Sequence, residues 1–311
     1  MPYEGKIYLF PLILLFATTL SAQSIDSSNL PSLWLRADKA AIADTSWIDF
    51  SGNKYSAVYG NKSGTKKYGL LNYNPAVAFS GAADSMKAPF SLDSLPAFTV
   101  MSVFQTAAAG ESGVWGTANP LAHKSMMTTR RVAGPDSIPA DIGVNEQAAV
   151  LSTVAQSWPR AAKINRSAYM TLGSTGSQTG YAPFNGAIAE LLVFNKKLDL
   201  LTQIQYETYL AIKYGIPLNR GNYVSSGEDV LWDAEKNKDY GYRIAGLGRD
   251  PFFGLNQKQG RSVIQLIFNI NNMYDGTYSQ DEMAAGIVTH LDTIGLWAAR
   301  GASSGICKKN K

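Results

Sequence analysis

Residues 184–218, FNGAIAELLVFNKKLDLLTQIQYETYLAIKYGIPL, constrain the fold more than any other stretch of the chain. Residues 187–194 are apolar and rich in strand formers, and Asn195-Lys196-Lys197 interrupts them. Asp199 is placed to cap a helix whose apolar residues Leu201, Ile204, Ala211 and Ile212 fall roughly on one face. Lys213 lies in the last turn, Gly215 offers a left-handed exit, and Pro217 forbids continuation. A strand that runs into a firmly stopped helix is an architectural signal. It holds no catalytic constellation.

The N-terminus points to a compartment. Lys6 precedes an apolar run over residues 7–20, and the small residues Ser21 and Ala22 follow, then Gln23. This predicts a secretory signal peptide over residues 1–22, too short to span a bilayer. No other segment is long and apolar enough to cross, so the mature chain is expected to be soluble, without a transmembrane segment, and secreted or held at the cell surface. The remaining residues, roughly 290, suffice for one large or two moderate domains. A single cysteine, Cys307, permits no internal disulfide, so an exported chain of this kind must rest on its core. The net charge of +4 is scattered rather than gathered into a stripe, which argues against nucleic acid as a partner. Charged residues make up only 17% and sixteen residues are Tyr, a balance suited to an extracellular β protein.

Further strands are predicted at Leu33-Trp34-Leu35, over residues 74–81, over 98–104 (FTVMSVF) and over 149–154, with a polar turn at Asp49-Phe50-Ser51-Gly52-Asn53. Residues 107–141 do not alternate cleanly and read as long loops. Many short strands divided by turn chemistry indicate an all-β sandwich or jelly roll. The run "FNGAIAELLVFN" followed by "YLAIKYGI", with "LWLRAD" and "WIDFSGN" near the start, resembles the LamG-like (concanavalin A-like) jelly-roll domains of secreted bacterial surface proteins. The resemblance covers roughly residues 30–217. It implies a jelly-roll sandwich closed by a terminal capping helix. It fades around residues 158–166. After Asn219, "IAGLGRD" and "LNQKQGRS" resemble the domain that follows this jelly roll in such proteins, which brings no settled biochemical role. That second, β-rich domain, residues 220–311, reads as cut short in GASSGICKKNK.

Catalytic chemistry finds little support. A glucanase on such a sandwich needs two carboxylates across a cleft, whereas Glu190 is the only acid in its strand and reads as a structural acid paired with a cation. His123 and His290 are far apart and form no metal-binding helix motif. The resemblance implies a structural calcium near the sheet rim, with Asp49, Asn53 and Asp84 as candidate ligands. Ala189 stands where many relatives carry Asp, which removes one ligand. Otherwise Asp49 and Asn53 simply form a hydrogen-bonded turn. Glycan recognition would use aromatic faces, for which Trp47, Tyr73, Trp115 and Tyr181 are candidates, each equally readable as a packing residue. The expected function is a non-catalytic extracellular recognition or adhesion module for a glycan or cell-surface component. A glycoside hydrolase or polysaccharide lyase on the same sandwich, or a structural spacer, are the alternatives.

Overall fold

A computed structural model describes residues 25–38, 45–60, 67–81, 84–107, 110–117, 125–133, 140–141, 149–157, 169–176, 180–218, 221–238, 242–261, 267–269, 295–300 and 304–310. The expected signal peptide, both histidines and residues 158–166 lie outside them. The chain opens with β1 (Leu33–Arg36), β2 (Ser46–Trp47), β3 (Ala57–Tyr59), β4 (Lys67–Leu71), β5 (Asn74–Ser80), β6 (Met86–Ala88) and β7 (Ala97–Thr106). It continues through β8 (Ser112–Thr117), β9 (Met126–Thr128), β10 (Arg131–Ala133), β11 (Ala140–Asp141), β12 (Ala149–Ser157), β13 (Met170–Leu172), β14 (Ala182–Pro183) and β15 (Asn185–Phe194). Helix α1 (Leu200–Tyr214) follows.

These strands form two sheets. One runs β12-β7-β15-β5-β4, with β1 also paired to β15; the other runs β11-β10-β9-β8-β13-β6-β3-β2, with β14 parallel to β8. The molecule is thus mostly β, a sandwich carrying one helix. Between the sheets, Leu35, Val100, Phe104 and Leu191 from the first share an apolar cluster with Trp47, Met86, Trp115 and Leu172 from the second. Fully burying a side chain of this size stabilises by roughly 1.5–3 kcal/mol.

The first sheet is covered on its other face as well. Trp34, Met101, Leu192 and Phe194 belong to a second cluster with Tyr206, Tyr209 and Leu210 of α1. Alternate side chains of a strand point to opposite faces, so a strand buried on both faces loses its polar alternation. This fits residues 98–104, where the only polar side chains are the small Thr99 and Ser102 and both are buried.

The ends of α1 are those the sequence predicts. Asp199 accepts a hydrogen bond from the Thr202 amide at 2.9 Å, and Gly215 takes the left-handed conformation at φ 65°. Orphan carbonyls of the last turn find side-chain donors: the amide groups of Asn72, Asn74 and Gln257 all donate to the Lys213 carbonyl, at 2.9, 2.9 and 3.1 Å. The predicted face is only half the buried surface. Ala211 and Ile212 are buried as expected, but Leu201 is exposed and Ile204 only half-buried, whereas Thr202, Gln205, Tyr206, Thr208, Tyr209 and Tyr214 are buried. The helix is covered from two sides, by the sheet and by Tyr223, Trp232, Phe253 and Leu255 from the segment that follows. A helix between two layers shows no single apolar stripe.

Residues 107–141 contain β8, β9, β10 and β11 rather than long loops only. Gly113 and Gly116 disguise β8 as turn sequence. Their lack of a Cβ lets the backbone of Thr175 lie across the strand: a Cβ on either would stand 2.5 Å from the Thr175 nitrogen or oxygen.

Beyond α1 come β16 (Tyr223–Val224), β17 (Val230–Trp232), β18 (Tyr242–Leu247), β19 (Arg249–Asp250), β20 (Leu255–Asn256), β21 (Gln259–Arg261), β22 (Ile267–Asn269), β23 (Gly295–Arg300) and β24 (Ser304–Asn310). β18, β23 and β24 make a three-stranded sheet, and the others pair in twos.

Candidate functional site

Two places concentrate polar chemistry. The first surrounds Glu190. Ile188 pairs with Phe104 and Glu190 with Val103, so Ala189 is an extra residue opposite β7, a β-bulge. Ile188 and Leu191 face the inter-sheet core, while Ala189 and Leu192 face the helix. Strict alternation would aim Glu190 into the apolar sandwich; the bulge turns it toward α1 instead.

There the carboxylate is completely buried and fully partnered. It accepts from Trp34 Nε1 at 2.6 Å, Tyr209 Oη at 2.8 Å, Tyr214 Oη at 2.8 Å and Lys213 Nζ at 2.7 Å. Arg36 Nε stands 3.9 Å away. Asp38 contacts both cations, 3.2 Å from Arg36 and 3.1 Å from Lys213. Two cations thus meet two carboxylates. Arg36 Nη1 also donates to the Phe253 carbonyl at 2.6 Å, tying the later segment to the sandwich.

Burial and the negative charge of Glu190 hold the Tyr209 and Tyr214 phenols well above their ordinary pKa. Burial alone would raise the Asp38 carboxyl, but Lys213 and Arg36 outweigh it and hold it below its usual value. Burial pulls Arg36 down, and Tyr209, Glu190 and Asp38 more than offset that. Every lone pair of Glu190 is spent, so it has nothing left for a substrate. Its reading as a structural acid paired with a cation agrees with this geometry.

The candidate site residues are scattered. Trp47 and Trp115 are wholly enclosed in the inter-sheet core, at 0% exposure, and drop out as aromatic platforms because a buried ring cannot stack on a ligand from solution. Their β-strand positions face inward, which the loop-like text around them conceals. Tyr73 is exposed on the two-residue turn between β4 and β5, and Tyr181 is half-exposed before β14.

Nor does Asp49 fit a cation. Its Oδ1 accepts the Trp34 and Ser51 amides, both at 2.9 Å, and its Oδ2 accepts the Ser51 hydroxyl at 2.8 Å and the Tyr55 amide at 3.0 Å. Asn53 donates to the Ser32 carbonyl at 2.9 Å, and Asp84 accepts the Ser80 amide and hydroxyl. These are turn-forming bonds, and amide and hydroxyl donors occupy both carboxylate oxygens of Asp49. Among the described residues, no group of three or more His, Cys, Asp or Glu is arranged to hold a metal ion.

The second place is a cleft of about 550 Å³ where loops from both sheets meet. Asn53 and Tyr55 come from the β2–β3 connection, Phe90, Ser91 and Ser94 from the β6–β7 connection, and Asn195 from the end of β15. The Tyr55 and Phe90 rings pack edge to face, 5.3 Å apart at 80°. Asp49, through the Tyr55 amide, fixes the loop that carries Tyr55. The Ser91 hydroxyl is buried and has no partner. Among the described side chains the lining is aromatic, hydroxyl, amide and aliphatic, with no carboxylate, Lys or Arg. Sequence reading reached Asn53 but missed Tyr55, Phe90 and Asn195. Only their position beside Asp49-Asn53 and at the strand break could have suggested them.

A family model described as a domain of unknown function (DUF8202) matches residues 202–286, which begin inside α1. No curated protein sequence matches the chain. Among solved structures, domain 4 of the extracellular arabinanase AbnA from Geobacillus stearothermophilus, in complex with arabinotriose, is similar with a TM-score of 0.42 and 15% identity. That match covers 54% of this chain and 94% of the other. Trypanosoma rangeli sialidase with an inhibitor gives 0.38 and 12%, over 54% of this chain and 31% of that one. The CBM40 of a Ruminococcus gnavus sialidase, bound to sialyllactose, gives 0.30 and 12%, over 40% and 91%. Among the described residues, no helix is long and apolar enough to cross a membrane.

Proposed function

We propose that the chain is a non-catalytic, exported recognition module, in which a LamG-like, concanavalin A-like jelly roll over residues 30–217 binds a glycan at its loop-end cleft. The β-rich unit over residues 220–311 supports the helix side of that jelly roll. The observation that carries this reading is the chemistry of the cleft: aromatic rings beside hydroxyl and amide groups suit a ligand with apolar C–H faces and many hydroxyls. Glycoside hydrolysis ordinarily needs a carboxylate pair, and no pair occurs among the described lining side chains; the Glu190 carboxylate is committed to its own cluster. A glycan array combined with a sugar-release assay tests the reading. Binding without release is expected. Release of sugar would make the chain a hydrolase or lyase, and neither signal from folded protein would favour a spacer.

A further inference from the structure

We infer that the cleft selects an uncharged saccharide, recognised through neutral hydrogen bonds from loops of both sheets; this rests on the glycan-binding reading above. Three observations lead there. First, the described lining side chains are all neutral and include no Lys or Arg, so a carboxylate or sulfate entering the cleft would shed water without meeting a cation among them.

Second, polar capacity in the lining is unspent. Among the described residues neither the Tyr55 hydroxyl nor the Asn195 side-chain amide makes a hydrogen bond. Asn195 is exposed and Tyr55 half-buried, so both can exchange water for a ligand hydroxyl. Other rim groups are engaged within the protein: Asp49 and Ser51 bond each other, and Asn53, also in the lining, donates to the Ser32 carbonyl.

Third, none of the described charged side chains near the cleft belongs to its lining. Lys54 and Lys197 are exposed and neither lines the cleft. Lys196 interacts with Asp26, and the Asp49 carboxylate behind Tyr55 is filled by its four donors. The edge-to-face pair Tyr55–Phe90 supplies an apolar wall for the C–H face of a ring, and the volume lies within the ~300–1,000 Å³ usual for small-ligand clefts.

The test uses the full mature chain against neutral oligosaccharides (arabino-, xylo- and gluco-oligosaccharides) and acidic ones (sialyllactose, oligogalacturonate). Neutral sugars are expected to bind, with affinity changing less than about twofold between about 0.05 and 0.5 M salt. Asn195→Ala and Tyr55→Phe should each weaken binding about three- to tenfold, the loss expected for one hydrogen bond, with the melting temperature unchanged. Lys54→Gln and Lys197→Gln should leave it unaltered. Binding confined to acidic sugars, falling steeply with salt and with the two lysine variants, would overturn the inference while leaving glycan recognition intact. Neutral binding untouched by Asn195→Ala and Tyr55→Phe would overturn the cleft as its site. Failure to bind any sugar would remove the glycan reading itself.

Discussion

The Glu190 cluster and the loop-end cleft are both polar, yet they are opposites. In the cluster, a fully buried carboxylate is met by four donors, and its two cations are shared with Asp38. In the cleft, the described lining groups are uncharged, and the Tyr55 hydroxyl and Asn195 amide make no hydrogen bond with described residues. A buried charge is tolerable only when paired and hydrogen-bonded, so the cluster must be complete for the fold to form. Neutral hydroxyls and amides can wait for a ligand because water serves them cheaply in the meantime. Saturation marks the cluster as part of the scaffold, and spare capacity marks the cleft as a place for recognition.

The largest test of this contrast is alkaline pH. Burial raises the pKa of Tyr206 and Tyr223, and burial with the Glu190 charge raises Tyr209 and Tyr214. The folded protein keeps these protons where the unfolded chain releases them, from about pH 10 upward. Their stability contribution is whole below that point. Above it, each tyrosine should cost about 1.4 kcal/mol per pH unit, or about 5 kcal/mol for the four together. Urea melts from pH 8 to 11 would show the decline, and a flat profile would contradict the burial. Asp38 works in the opposite direction: its depressed pKa gives stability that is present above about pH 4 and is lost as pH falls through its folded value.

Next in size is Glu190→Ala. It strands Lys213 and Arg36 in a buried layer, which should cost about 3–5 kcal/mol. The melting temperature should drop by about 6–20 °C. A drop of only a degree or two would mean that the cluster is wet and loosely paired. The smallest effects belong to the cleft end. Asp49→Ala removes the acceptor of three amides, one of them the buried Trp34 N–H, for about 1–3 kcal/mol. Ser91→Ala deletes a hydroxyl with no partner and should change stability by less than about 0.5 kcal/mol. If Ser91→Ala proves as costly as Asp49→Ala, the distinction between spent and spare polar groups fails.

Legibility in the sequence followed the range of the forces involved. The ends of α1 were readable because Asp199, Gly215 and Pro217 act on residues a few positions away. The strands at Leu33-Trp34-Leu35, 74–81 and 98–104 were readable because their side chains are continuous strand formers. Strand β8 was not, because its glycines answer to Thr175, some sixty residues distant, and not to a turn. Trp47 and Trp115 looked like loop aromatics for the same reason: which face a strand residue takes depends on what the opposite sheet brings to it. The helix face was legible only at Ala211 and Ile212, because a second covering layer, from Tyr223 onward, buries polar positions that amphipathicity would leave in water.

By itself, then, the sequence determined the punctuation: where strand β15 ends, where α1 is capped and stopped, and that Glu190 has no acidic partner in its strand. Local capping chemistry and backbone preferences are enough for that. Only the tertiary structure decided which way Glu190 points. One extra residue, Ala189, against β7 turns it from the apolar core to Trp34, Tyr209, Lys213 and Tyr214. The cleft is likewise a product of folding, since its lining comes from three connections far apart in the chain. Neither can be read locally, because a side chain's direction and its neighbours are set by register and packing across sheets, and no single segment carries that information.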